Sequence, residues 1–261
     1  MARGSGFSRD SFVTRIGIIV GSGFAHWPMT GSPEHPVETP HGTPSSPLAR
    51  VAIGACEVWV LARHGRTHAI APHAVNYRAN LWALHAAGVR TCIGVNAVGA
   101  IAPGFALGEL AVPDQLIDYT WGRASTFTGD DAPVVHAEFT EPFEPELGGH
   151  LAAAAADCGF AVRRGVYGVT QGPRLETAAE IDRLARDGCA MVGMTAMPEA
   201  ILARELGMAY AICAGAVNYA AGRGPDGHAI LDDIDLHVAS TMARIAKVIE
   251  IVVPRLARAA V

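Results

Sequence analysis

The chain has 261 residues, half of them apolar, with 20 basic and 25 acidic side chains and a net charge of −5. This length can bury one large core, and an acidic balance without a basic stripe argues against a nucleic-acid partner. No apolar run reaches the roughly 18 residues of a membrane span, so we expect no membrane association. Residues 1–14 lack the apolar segment of a secretory signal and are predicted to form a flexible tail before one domain over 15–261.

The five cysteines are odd in number and widely spaced, mostly within apolar runs. This pattern is typical of reduced thiols in a core and not of disulfides or zinc ligands. We therefore predict a cytoplasmic protein without a metal site.

The first predicted strand, 15–20, is followed by Gly21-Ser22-Gly23. A glycine turn lets the backbone approach an anion closely. The third glycine of a dinucleotide-binding fingerprint is missing, because Phe24 follows the turn, so no dinucleotide cofactor is expected.

A second strand, 58–62, ends in Arg63-His64. A guanidinium can bind phosphate oxygens in a bidentate manner, and an imidazole adds another donor, so this pair predicts an anion pocket. Arg-His-Gly also resembles the nucleophile motif of histidine phosphatases, in which the histidine itself is phosphorylated. The residues alone leave both interpretations open.

Further along, a helix over 76–86 precedes a buried strand, 91–95, that is predicted to end in a turn beginning Asn96-Ala97. Another strand region, 110–119, leads into a long polar loop that carries His136. Loops of this length are usually functional or lie at interfaces. A merely solvent-exposed His136 is the alternative.

An apolar run from Val166 ends at a Gly-Pro break, and Thr177-x-x-Glu180 then has the pattern of a capping box. Glu176 therefore lies at a strand-to-helix junction. Met194-Thr195 closes the next strand before Pro198 opens another helix. The simpler alternative is that Glu176 caps its helix and that Thr195 is an N-cap.

The last predicted strand, 209–217, leads into Asn218-Tyr219-Ala220, and Asp232 is predicted to cap a long final helix. Strand ends of an α/β sheet converge on one crevice. The residues then fall into two groups. A group suited to an oxyanion comprises Ser22, Arg63, His64, Asn96, Ala97 and Thr195, and a group suited to a heterocycle comprises Glu176 and Asn218.

The blocks QGPRLETAAE and VGMTAMPEA resemble those of the purine nucleoside phosphorylase superfamily, most closely its methylthioadenosine and S-methyl-5'-thioinosine phosphorylase branch. The resemblance extends from Ile16 to the final helix. The Arg-His-Gly motif continues into THAIAPHAVNYRANLWAL, which is similar to these phosphorylases and favours phosphate binding over a phosphohistidine. The implied fold is a single α/β domain with a central mixed β-sheet flanked by helices.

The resemblance also implies a role for each site residue. Asn218 and His64 are expected to act in catalysis. Leu231 is expected near the nucleoside 5' group, where ordinary 6-oxopurine enzymes carry a histidine, and His136 is expected to reach a neighbouring subunit's site. The implied phosphate-binding residues are Ser22, Arg63, His64, Asn96, Ala97 and Thr195, and the implied substrate-binding residues are Met194, Glu176, Asn218, Tyr219, Ala220, Leu231 and His136.

Adenine-preferring members carry Asp at the positions of Asn218 and Ala220, and this chain has neither acid. Glu176 can only accept a hydrogen bond and so matches N1–H of a 6-oxopurine, while Asn218 can donate to N7 or O6. The expected reaction converts S-methyl-5'-thioinosine and phosphate to hypoxanthine and 5-methylthio-ribose 1-phosphate. Phosphate is then a co-substrate, and no cofactor is expected.

Four other possibilities stay open from the sequence. Two are close relatives in activity, namely a methylthioadenosine phosphorylase and an inosine or guanosine phosphorylase. Two belong to other classes, namely a histidine-type phosphatase and a non-catalytic nucleoside-binding protein. The expected assembly is a homotrimer or a dimer of trimers.

Overall fold

The structure is a computed structural model that describes residues 15–24, 32–129, 134, 136–225 and 229–259. The predicted tail, 1–14, lies outside these residues. The described part of the chain forms strands β1 Arg15–Val20, β2 Glu34–His35, β3 Leu48–Ile53, β4 Cys56–Ala62, β5 Val89–Ala100, β6 Leu110–Ala111, β7 Gln115–Asp118, β8 Val162–Arg163, β9 Val166–Val169, β10 Cys189–Gly193 and β11 Ala209–Tyr219, and helices α1 Tyr77–Ala86, α2 Pro145–Asp157, α3 Ala178–Arg186, α4 Ala196–Glu205 and α5 Ile230–Ala259.

The strands form one mixed sheet in the order β2-β3-β4-β1-β5-β10-β9-β7, and β11 also pairs with β5. Strand β5 is at the centre of this sheet. It runs parallel to β1 and β11 and antiparallel to β10. The predicted α/β class with a central mixed sheet is confirmed.

On one side of β5, a stretch in the middle of the strand is not paired with another strand among the described residues. Strand β11 covers β5 from Thr91 to Ala100 on one side. On the other side β1 pairs as far as Gly94, and β10 enters from the opposite direction to pair with Gly99 and Ala100. The ends of β1 and β10 therefore face each other across residues 95–98 of β5, and a cavity forms there.

Two apolar layers hold the helices against the two faces of the sheet. One layer packs side chains of α2 and α5, such as Leu151 and Ile245, against β1, β4 and β11. The other packs α1 and α4, with Leu84 and Leu202, against the opposite face. This burial fixes the helices, because apolar burial is the dominant favourable term in folding.

Local sequence signals predicted the bounds of α1 to within one residue and the start of α3. Asn76 caps α1 through its side chain, and Thr177 and Glu180 form the expected capping box of α3. The final helix begins at Ile230, two residues before Asp232, so the prediction that Asp232 is its N-cap was wrong. No helix among the described residues has the length and apolarity to cross a membrane.

Two strands run further than predicted. Strand β5 continues through Asn96 and Ala97 to Ala100 instead of ending in a turn, because both β11 and β10 supply hydrogen-bonding partners there. Strand β11 extends to Tyr219, with a bulge between Ala216 and Asn218. A bulge changes the direction of the following side chain. Asn218 is thus placed by a bulge at the C-terminal end of β11.

Candidate active site

A cavity of about 440 Å³ lies over the open stretch of β5. The ends of β1 and β4 form one side, and the segments after β9 and β10 form the other. Nine of the predicted site residues line it: Ser22, Arg63, His64, Asn96, Ala97, Glu176, Met194, Thr195 and Asn218. The sheet therefore brings together residues from six separate segments of the chain.

Arg63 and Glu199 form a buried ion pair beneath one end of the cavity. The side chains are 1% and 0% exposed. Arg63 Nη2 donates to Glu199 Oε2 at 2.9 Å, and Tyr210 Oη donates to the same oxygen at 2.7 Å. Burial acts to lower the pKa of Arg63, but attraction and hydrogen bonds from Glu199 outweigh it and raise that pKa. Arg63 is therefore a fixed cation.

Most of the Arg63 donors are already used within the protein. Nε also bonds Glu199, Nη2 reaches Asn96 Oδ1 at 3.3 Å, and Nη1 donates to the Val95 carbonyl at 3.0 Å. A guanidinium has five N–H groups, so one on Nη1 makes no hydrogen bond to the described residues. Nη1 lies beside the glycine turn, since a Cβ on Gly21 would be 2.6 Å from it. The nitrogen that carries the remaining N–H thus lies beside the turn that carries Ser22.

His64 is held as a neutral ring at the same end of the cavity. Its Nδ1 lies 2.8 Å from the Ile70 carbonyl. A carbonyl only accepts, so Nδ1 carries the proton and Nε2 has a lone pair. Burial and the nearby Arg63 lower the pKa of His64 to about 4, against a smaller raising effect of the Ile70 bond. The ring therefore presents an acceptor, whereas the sequence interpretation assigned it a donor.

His68 is a residue of this region that the sequence interpretation missed. It lines the cavity, its Nε2 lies 3.3 Å from Ser22 Oγ, and its ring centroid is 4.7 Å from that of His64. Its φ of 55° is a left-handed conformation that non-glycine residues seldom adopt. No local pattern in the sequence distinguishes it from the other histidines.

Asn96 links Arg63 on one side of the cavity to Thr195 on the other. Its Oδ1 accepts from Arg63, and its Nδ2 donates to Thr195 Oγ1 at 2.9 Å. Thr195 occupies the N-cap position of α4, but its side chain makes no capping hydrogen bond. Since Thr195 Oγ1 accepts from Asn96, its own proton is available to an anion. The cap interpretation of Thr195 therefore does not account for its side chain.

Glu176 lies at the other end, and its carboxylate does not cap α3. The cap is made by Thr177 and Glu180. Glu176 Oε1 instead accepts from Thr170 Oγ1 at 2.6 Å. The alternative that Glu176 merely caps its helix is therefore wrong, and its second oxygen faces no protein donor among the described residues.

Asn218 completes this end and is 7% exposed. Its Nδ2 donates to the Tyr219 carbonyl at 2.8 Å, and this contact fixes the amide orientation because the carbonyl can only accept. In the part of the chain that the structure describes, one N–H and Oδ1 of the amide make no further hydrogen bond.

Four predicted residues do not line this cavity. Tyr219 and Ala220 follow Asn218, and Ala220 is buried. Leu231 is 65% exposed at the start of α5, and Ile234 from the same helix lines the cavity instead. His136 is exposed on the long loop. Within a single chain these four positions are therefore not brought to the site.

Arg123 is a second residue that sequence reasoning did not single out. Its guanidinium donates to the carbonyls of Gln171 at 2.8 Å, Met194 at 2.7 Å and Met197 at 2.6 Å. One side chain thus ties the loop after β7 to the segments that carry Glu176, Met194 and Thr195. The described residues contain no cluster that could hold a metal ion.

The fold and cavity define an α/β enzyme that can hold an oxyanion beside a polar heterocycle. The family model described as the Phosphorylase superfamily matches residues 15–254. The chain belongs to this family, which confirms the resemblance seen in the sequence.

Relatives and solved structures agree with this assignment. A probable S-methyl-5'-thioinosine phosphorylase of Xylella fastidiosa is 49% identical over 216 residues, 82% of this chain and 87% of that protein. A 6-oxopurine nucleoside phosphorylase of Pyrococcus furiosus is 46% identical over 215 residues, 80% of each chain. Among solved structures, a methylthioadenosine phosphorylase from Schistosoma mansoni in complex with adenine superposes with a TM-score of 0.88 at 30% identity, covering 93% of this chain and 92% of that one.

Proposed function

We propose that the protein catalyses phosphorolysis of a 6-oxopurine nucleoside, with S-methyl-5'-thioinosine as the preferred substrate. The products are hypoxanthine and 5-methylthio-ribose 1-phosphate. The observation that carries the proposal is one cavity with two different ends, an anion-binding end at Arg63 and Thr195 and a base-binding end at Glu176 and Asn218. The names of relatives that are about half identical support it.

At the anion-binding end the proposed ligand is phosphate that carries a proton. The free Nη1 donor of Arg63 and the hydroxyl of Thr195 suit phosphate oxygens. The lone pair on His64 Nε2 suits the P–OH group, because a neutral imidazole accepts there. The site thus combines fixed donors with one acceptor, and it positions phosphate below the anomeric carbon.

In the proposed reaction a phosphate oxygen forms a bond to the anomeric carbon while the bond to the purine nitrogen breaks. The electron pair of that bond leaves with the base, and Asn218 can stabilise it by donating its free N–H to N7. Phosphate also stabilises the positive charge that develops on the sugar. No covalent intermediate with the enzyme is needed.

Base choice follows from the polarity of the base-binding end. Glu176 offers only acceptors, which match N1–H of hypoxanthine and oppose the N1 lone pair of adenine. The Asn218 amide is fixed by Tyr219 so that an N–H can face N7 or O6. A mismatch of buried polar groups can discriminate by roughly 10⁴-fold.

The 5' end of the substrate is proposed to meet apolar side chains from the start of α5. Ile234 lines the cavity, and Leu231 lies one helical turn before it. A methylthio group fits such a surface better than a hydroxyl, which would lose hydrogen bonds to water.

A second subunit is proposed to complete the site. His136 and Trp121 lie on the long loop, and Trp121 is 73% exposed. Aromatic side chains such as Trp are enriched at protein–protein interfaces. We propose a homotrimer or a dimer of trimers in which this loop reaches a neighbouring site. A cytoplasmic location is also proposed, since all five thiols are free.

The decisive assay is the release of free base from S-methyl-5'-thioinosine with and without phosphate. We expect release that depends on phosphate, with 5-methylthio-ribose 1-phosphate as the second product. A nucleoside-binding protein would release no base. Release of phosphate from a phosphomonoester, with no consumption of phosphate, would instead support the phosphatase alternative.

Preference is then measured as kcat/KM for S-methyl-5'-thioinosine, inosine and methylthioadenosine at saturating phosphate. Equal values for the first two would remove the proposed role of the apolar 5' end. A preference for methylthioadenosine would overturn the assignment of the base.

A further inference from the structure

Thr170 lies directly behind the Glu176 carboxylate. Its Oγ1 is 2.6 Å from Glu176 Oε1 and 3.4 Å from the Gly193 carbonyl. That carbonyl already accepts from the Thr170 backbone N at 2.8 Å. A threonine hydroxyl has a single proton to donate, so the shorter contact to Glu176 receives it.

This hydrogen bond is the one that Glu176 makes in the described part of the chain. The neighbouring cation, Arg174, is paired with both oxygens of Glu180 at 2.8 and 2.7 Å. Helix capping is done by Thr177 and Glu180. Among the described residues, Thr170 is therefore the hydrogen-bonding partner that orients the Glu176 carboxylate.

Glu176 stands in the wall between two cavities. It lines the candidate active site, and it also lines a second cavity of about 570 Å³, which Thr170, Arg174 and Arg183 line as well. Thr170 does not line the active-site cavity. A Glu176 side chain released by Thr170 would have room to turn into the second cavity and away from a bound base.

We propose that Thr170 is a positioning residue for base choice. It holds Glu176 Oε1 from behind, so that Oε2 is presented to the N1–H of a 6-oxopurine. This inference rests on the proposed function, because it assumes that Glu176 contacts the base. Thr170 itself touches neither phosphate nor nucleoside.

The test replaces the hydroxyl while keeping the shape of the side chain. In Thr170→Val we expect kcat/KM for S-methyl-5'-thioinosine to fall by about 10- to 100-fold, as for loss of a hydrogen bond to a charged group. The value for methylthioadenosine, whose N1 has no proton, should change little, so the preference shrinks. The phosphate KM should stay constant, because Thr170 lies away from the anion-binding end.

Thr170→Ser is the matched control, since it keeps the hydroxyl and should retain the wild-type preference within about threefold. Thr170→Ala serves as a second test variant if the valine protein is poorly folded, with the melting temperature measured for each. An equal loss of kcat/KM for both nucleosides in Thr170→Val and Thr170→Ala would assign Thr170 a purely structural role and overturn the inference. An unchanged preference would do the same.

Binding of free bases separates this inference from the proposed function. Calorimetric titration with hypoxanthine and adenine, in the presence of phosphate, needs no turnover. A wild type that releases no base would refute the proposed reaction, yet a preference for hypoxanthine that is lost in Thr170→Val and kept in Thr170→Ser would still support the role of Thr170. The role of Thr170 would be refuted if the preference for hypoxanthine over adenine were the same in the wild type, Thr170→Val and Thr170→Ser.

Discussion

Glu199→Gln is the substitution that most directly tests the frame of the anion-binding end. The change removes a negative charge from a side chain that is fully buried against Arg63, itself 1% exposed. Breaking a buried pair costs about 3–5 kcal/mol, because the remaining charge is left without compensation. Gln can still accept from Arg63 or Tyr210, so we expect the lower value, about 3 kcal/mol. At about 2–4 °C per kcal/mol for a chain of this size, the melting temperature should fall by about 6–12 °C.

Phosphate should stabilise this variant more than the wild type. The site loses one negative charge, so its potential is more positive and a bound anion restores part of the compensation for Arg63. The measurement is thermal and urea denaturation, with and without phosphate.

Glu57→Gln is the matched control, because Glu57 pairs with Arg50 at the surface with the two side chains 44% and 48% exposed. Exposed pairs contribute about 0–1 kcal/mol. The reasoning about the buried pair would be refuted if Glu199→Gln destabilised the protein no more than this control. It would also be refuted if phosphate stabilised Glu199→Gln no more than it stabilised the wild type.

Three further predictions concern single positions of the site. In Asn218→Asp the ratio of kcat/KM for S-methyl-5'-thioinosine to that for methylthioadenosine should fall at least about tenfold, and an unchanged ratio would contradict the role of the amide. Gly21→Ala places a Cβ 2.6 Å from Arg63 Nη1, so the phosphate KM should rise, and normal phosphate kinetics would show that this donor is not used. The third is a pH effect at His64, whose pKa is lowered to about 4 from an ordinary value near 6.5. The unfolded chain then binds the proton more readily than the folded protein does. The contribution of His64 to the free energy of unfolding is therefore fully present above pH 6.5 and is lost as the pH falls towards 4, by up to about 1.4 kcal/mol per pH unit. Urea denaturation at several pH values should show that the free energy of unfolding falls less steeply with falling pH in His64→Asn than in the wild type. Equal slopes in the two proteins would argue against a buried neutral ring.

The sequence by itself determined the local features and the family. The span of α1 and the capping box at Thr177 were predictable, because apolar periodicity and a capping side chain that bonds a backbone N–H a few residues away are both local signals. Nine of the predicted site residues lie in one cavity for a related reason. Most of them follow apolar runs where the chain leaves the sheet, and these places lie together in an α/β fold. Asn96, Ala97 and Asn218 instead lie within β5 and β11 and line the same cavity.

The tertiary structure alone decided how those residues are held. Glu199 is 136 positions from Arg63, and no periodicity or motif links the two. The entry of β10 antiparallel to β5 and the bulge before Asn218 depend on pairing between distant segments, which a pattern read along one strand does not encode. The same holds for Thr170 and Glu176. They are only six residues apart, but they lie on opposite sides of the Gly172-Pro173 break, and no capping or periodic signal in the sequence pairs them.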